Sequence, residues 1–156
     1  MNAEARYEPE GCIIVIFGAS GDLTGRKLAP AVYNLAREDL LPPNTVLVGY
    51  GRTEMSDEQF RERLEQDVGR HSRVQPLEEE VWRELAGRIF YQQGAYAERE
   101  DHAALKQRLE ELDEEHGTAG NRTFYLAVPP EVVEPILDNL SAVGALRRQA
   151  SCPEGH

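Results

Sequence analysis

The sequence predicts an α/β domain built on a doubly wound parallel sheet, from three observations. Ile13-Ile14-Val15-Ile16-Phe17 is a short run of wholly apolar, mostly β-branched residues that ends at once in Gly18, as a strand buried on both faces does. Short β-rich runs then alternate with segments of helical periodicity along the rest of the chain, the pattern that right-handed crossovers convert into parallel strands. Finally, 156 residues with no internal repeat and no long linker are enough for one ordinary domain with a sizeable core.

Residues 1–11 are polar and acidic and read as a loose leader, with Cys12–Phe17 the first strand. After the glycine turn a helix follows, with Pro30 at its first position, where a missing N–H is harmless. Leu28, Ala31, Val32, Leu35 and Ala36 form its apolar stripe, and the segment from Glu38 to Asn44 ends it. Thr45–Tyr50 is a second strand, closed by Gly49 and Gly51. Ser56-Asp57-Glu58-Gln59 is a capping-box pattern, so a helix runs from Asp57 to about Val68. A turn at Gln75-Pro76 precedes a helix over Glu78–Arg88 whose inner face is Val81, Trp82 and Leu85, with Trp82 read as packing rather than a stacking platform. Ile89–Gln92 is a third strand. Arg99–His116 is helical, with Leu105, Leu109 and Leu112 on one face and a solvated charge run elsewhere. Thr123–Val128 is a fourth strand, and Pro130 opens a helix with Val132, Val133, Ile136, Leu137 and Leu140 inward. Residues 12–146 thus form an incomplete Rossmann-like sheet of about four strands. Residues 147–156 hold no apolar run and read as a disordered tail.

The 17 basic residues against 28 acidic ones leave a net charge of −11, and no local basic patch offsets it, which argues against a nucleic-acid partner. No apolar stretch approaches the ~18 residues of a membrane span, and no secretory leader is evident, so a cytoplasmic protein is expected. Cys12 and Cys152 have no metal-like spacing and form no disulfide framework; Cys12 reads as a core or near-core thiol. His71, His102, His116 and His156 each sit singly among charged residues and read as solvated, so no metal site is expected.

Function concentrates where strands meet turns. Gly18 and Gly21 leave backbone bare for close approach of a pyrophosphate and can aim N–H groups at it, although a glycine pair in G-x-x-G spacing also makes a plain tight turn. Ser20 can donate to a phosphate oxygen, while Asp22 would cap the following helix rather than face a like charge. An arginine after the second strand accommodates an adenosine 2′-phosphate, so Arg52, with the Thr53 hydroxyl beside it, argues for NADP. Glu54 leaves NAD open. Arg26 and Lys27 either focus positive charge on a polyanion or snorkel from a helix. Pro129 and Pro130 after Ala127 and Val128 make a rigid exit that suits a cofactor wall or simply stiffens a loop.

The longer run Gly18-Ala19-Ser20-Gly21-Asp22-Leu23, with Arg26-Lys27-Leu28 and Pro30, is far more specific: it resembles the coenzyme-binding opening of glucose-6-phosphate dehydrogenases. The resemblance continues through Leu40-Leu41-Pro42, Val48-Gly49-Tyr50-Gly51-Arg52-Thr53 and Phe124-Tyr125-Leu126-Ala127-Val128-Pro129-Pro130, covering roughly residues 12–146. It implies an NADP-binding domain with Ala19 and Leu23 in the phosphate turn. Lys27 would lie where coenzyme and sugar phosphate approach, and Tyr96 on the adenine side. Ala127, Val128 and Pro129 would lie against the nicotinamide ribose. For the intact parent it implies oxidation of glucose 6-phosphate to 6-phosphogluconolactone by a homo-oligomer, with a histidine–aspartate base outside this chain. The family's E-K-P strand and R-I-D-H-Y segment do not occur here, and the tail looks foreign to the family. The chain then reads as a fragment with no catalytic residue of its own, inactive alone. Two other readings compete with this one. A short-chain reductase needs Tyr-x-x-x-Lys, which no tyrosine here satisfies, whereas a non-catalytic module that reads NADP stays open.

Overall fold

A computed structural model describes residues 11–19, 21, 24–42, 44–72, 77–118 and 120–145. The leader up to residue 10, Ser20, Asp22, Leu23, the turn at Gln75-Pro76 and the tail from 146 lie outside the described residues, as does the side chain of Arg26. The strands are β1 (Ile13–Phe17), β2 (Val46–Gly51), β3 (Ile89–Gln93) and β4 (Arg122–Leu126). The helices are α1 (Ala29–Arg37), α2 (Asp57–His71), α3 (Glu79–Ala86), α4 (Arg99–His116) and α5 (Val133–Ala142). A π-helical turn, Thr24–Leu28, leads into α1, and a 3-10 turn, Pro130–Val132, leads into α5.

Every strand pair is parallel, in the order β3-β2-β1-β4. The chain steps to one side of β1 for β2 and β3, then returns to its other side for β4. That reversal opens a crevice at the carboxyl ends of β1 and β4, where doubly wound sheets bind ligands. Alternation along β1 separates two cores. Ile13, Val15 and Phe17 pack with Leu105, Leu109, Leu112, Ile136 and Leu140 from α4 and α5, while Ile16 packs with Tyr33, Phe60, Leu64, Trp82 and Leu85 from α1–α3.

Three expectations are corrected. Of the stripe expected for α1, Leu28, Val32 and Ala36 pack partly buried against the core, but the helix's buried residues are Ala29, Pro30 and Tyr33, the last 0% exposed, whereas Leu35 is 42% exposed and Ala31 also faces solvent. Tyr33 can take the inward place because its hydroxyl is satisfied inside, accepting from the Glu78 amide at 2.8 Å. In α5 Ile136 and Leu140 are buried but Leu137 is 41% exposed. Asn139 is buried there instead, its amide joined to the Tyr96 carbonyl and to Arg99, each at 3.3 Å. His102 is not solvated. It is 0% exposed, its Nδ1 lies 2.7 Å from the Glu98 carbonyl oxygen, and its ring stacks 6.0 Å from Phe17.

The outer edge of β3 is closed by side chains. Arg61 Nε donates to the Ile89 carbonyl at 2.7 Å, and the Tyr91 amide donates to Asp57 Oδ1 at 2.8 Å. Arg108 donates to the Tyr91 carbonyl at 3.1 Å and pairs with Asp57 at 2.9 Å. The guanidinium groups of Arg61 and Arg108 also lie 5.2 and 5.5 Å from the Phe90 ring centre.

Candidate cofactor site

At the carboxyl ends of β1, β2 and β4 lies a cavity of about 410 Å³ lined by Gly18, Gly21, Arg52, Thr53, Tyr96, Ala127, Val128 and Pro129. The fold thus gathers residues that the sequence singles out at four separate places. Ala19 sits behind this wall at 3% exposure, against Gly49 in β2, and Lys27 is exposed outside the lining.

Gly18 fixes the geometry. Its φ is +85°, and a Cβ there would run into the Ala127 carbonyl, because the exit of β4 crosses directly over it, with the Ala127 amide donating to Phe17 O at 2.9 Å. Only glycine fits both the conformation and the space. The Gly18 carbonyl accepts from the Gly21 amide at 3.0 Å and from the buried Thr24 hydroxyl at 3.1 Å, which folds the turn back on itself. The amides of Gly18 and Ala19 both donate to Tyr50 O, at 3.0 and 3.3 Å. The sequence expectation is therefore half corrected: Gly18 and Gly21 supply the bare backbone, but their own N–H groups are already engaged within the protein.

The segment after β2 is held from β3. The Gly94 amide donates to Gly51 O at 2.8 Å, Gln93 Nε2 to Arg52 O at 3.3 Å, and the Tyr91 hydroxyl to Thr53 O at 2.6 Å. Arg52 itself is exposed, its guanidinium 5.9 Å from the centre of the Tyr96 ring. Burial raises the Tyr96 pKa above the ordinary phenol value, against the opposing pull of Arg52 and a hydrogen bond with the Gly18 backbone. Tyr50, fully buried under this region, donates to Ala95 O at 2.9 Å, and burial followed by the Asp101 charge pushes its pKa up. Asp101 in turn accepts from the Ala95 amide at 2.9 Å. Tyr50, Tyr91, Gln93, Asp101 and Asn139 escaped the sequence reading; the one available signal was a tyrosine closing a buried strand, whose hydroxyl must find a partner.

Arg52 gives the lining its one formal charge among the described residues, so the cavity pairs a cation and bare backbone with an aromatic face and an apolar wall. Together with the strand order, this defines the class: a dinucleotide-binding α/β domain. Residues 15–152 match the family described as glucose-6-phosphate dehydrogenase, NAD binding domain, and the chain belongs to that family. The match runs past residue 146 into the tail. Glucose-6-phosphate 1-dehydrogenase of Chlamydia muridarum is 46% identical over 130 residues, which are 83% of this chain and 26% of that protein. Glucose-6-phosphate 1-dehydrogenase 2 of Mycobacterium tuberculosis is 39% identical over 138 residues, 88% of this chain and 27% of that one. A solved glucose-6-phosphate dehydrogenase in complex with its substrate glucose-6-phosphate superposes with a TM-score of 0.77 at 33% identity, over 85% of this chain and 27% of the other. The chain spans about a quarter of the length of the curated relatives it matches.

Proposed function

We propose that this chain is the NADP-binding part, over residues 12–146, of a protein that oxidises the C1 hydroxyl of glucose 6-phosphate. One observation carries the reading: Gly18 and Gly21 line the same cavity as Arg52, so a single adenosine diphosphate moiety can meet both. The lining sets bare glycine backbone and a cation beside an aromatic face, and that chemistry supports the fit. In this reading the bare backbone at Gly18 and Gly21 leaves room for the pyrophosphate, and Lys27 stands at the sugar-phosphate side. Arg52 and Thr53 take the 2′-phosphate, Tyr96 lies under the adenine side, and Ala127, Val128 and Pro129 back the nicotinamide ribose. When bound, the coenzyme supplies the hydride acceptor; the chain supplies binding and orientation. Glu54 is exposed and outside the described lining, which favours NADP over NAD.

The described lining contains no carboxylate and no imidazole, so it offers no acceptor for the sugar hydroxyl proton. In this reading the chain binds coenzyme without turning over by itself, and glucose 6-phosphate and further copies of the polypeptide are partners of the whole protein. Among the described residues no helix is long and apolar enough to cross a membrane, and the cytoplasm is the compartment we propose. Calorimetric titration tests the site: Arg52→Ala should weaken 2′,5′-ADP by about tenfold or more while leaving 5′-AMP nearly unchanged. Equal losses for the two ligands would remove the case for NADP.

A further inference from the structure

We propose that Tyr91 and Gln93, which do not line the cavity, are positioning residues that set the preference for an adenosine 2′-phosphate by holding the arch from Arg52 to Met55. The inference rests on the site reading above and deepens it. The arch spans the gap between the end of β2 and the Ser56 cap of α2, and Arg52, Thr53 and Glu54 are all exposed. A connection outside helix and strand is loose unless tied. Two side chains of β3 tie it: the Tyr91 hydroxyl donates to Thr53 O at 2.6 Å, and Gln93 Nε2 donates to Arg52 O at 3.3 Å.

Tyr91 is itself a fixed post. The residue is 3% exposed and its ring packs 5.0 Å from that of Phe60, while its backbone is bound on the outer side by Asp57 and Arg108. Burial pushes its phenol up to about 12, so the hydroxyl remains a donor throughout the neutral range. The post and the arch share one anchor, because Asp57 also opens α2 directly after the Ser56 cap.

A ligand bearing the 2′-phosphate must find the Arg52 guanidinium already in place, or the ordering of the arch opposes its binding. A ligand without that phosphate asks less of the arch and is less sensitive to its slack. Loosening the arch therefore acts on the ratio of the two affinities, whereas general damage to the fold would lower both.

The test uses the whole chain, titrated calorimetrically with 2′,5′-ADP and with 5′-AMP. Tyr91→Phe keeps the ring on Phe60 and removes only the hydroxyl; Gln93→Ala alters an exposed side chain. Each should weaken 2′,5′-ADP by about fivefold and 5′-AMP by less than about twofold. Equal weakening of both ligands, or none, overturns the proposal. Should Tyr91→Phe lose its cooperative thermal transition, the Gln93→Ala ratio decides. Arg52→Ala serves as the control: an unchanged ratio in that variant sinks the site reading and this inference with it, while a changed ratio there with unchanged ratios in the β3 variants sinks only this inference.

Discussion

Gly18 shows how much one missing side chain can decide. With φ at +85° and the Ala127 carbonyl where a Cβ would stand, Gly18→Ala meets a backbone penalty and a steric one together. Its stability should fall by about 1–3 kcal/mol in a urea titration, with loss of 2′,5′-ADP binding. Gly21→Ala should be milder, since the nearest atom to its Cβ is Gly18 O at 3.3 Å. Gly18 and Arg52 could be picked out from the sequence because their chemistry is local: a turn after a strand, a cation after a strand. Tyr91 and Gln93 could not, because their partners are 38 and 41 residues away and the link exists only once β3 lies beside β2. His102 is a different case. It falls in step with Leu105, Leu109 and Leu112 on the buried face of α4, but the charged residues before it in sequence outweighed that spacing.

The elements follow local rules closely where the rule is chemical and less closely where it is a matter of phase. The capping box of α2 forms in full: the Gln59 amide donates to the Ser56 hydroxyl oxygen at 3.1 Å, and the Ser56 amide donates to Gln59 Oε1 at 2.9 Å. Ser56→Ala should lower stability by about 1 kcal/mol, read as a lower denaturant midpoint with an unchanged slope; an unchanged midpoint would show the cap to be idle. Among the described residues, the four strands were legible as apolar runs, α2 from its capping box, and the other four helices from their apolar stripes. The inward faces of α1 and α5 were not fully so, because Tyr33 and Asn139 take inward places through polar partners remote in sequence, the Glu78 amide and the Tyr96 carbonyl.

At the scale of the whole molecule, alternating strands and helices revealed a parallel sheet but not its order, because nothing local to β4 records that it pairs with β1 rather than with β3. The folded molecule also has an alkaline limit. Tyr91 is pushed up to about 12 from 10.0, and Tyr50 and Tyr96 are raised too, in each case with burial the leading cause. The folded chain therefore keeps phenol protons that the unfolded chain releases near pH 10. Stability from these groups is fully present below pH 10 and is lost as pH climbs through the folded values. The urea midpoint should fall steadily above pH 10, with phenolate absorbance lagging behind that of the unfolded chain, and Tyr91→Phe should flatten the decline. A midpoint constant up to pH 12 would count against it.

The closed edge of β3 gives the sheet a direction. With Arg61, Asp57 and Arg108 occupying backbone groups that a newcomer would need, lateral growth on that flank is blocked. Among the described residues β4 is the opposite margin, and Tyr125 in it is 44% exposed. Any additional strand, whether from elsewhere in the same polypeptide or from another molecule, has only the β4 flank to join, so the fold can be extended one way and is finished on the other.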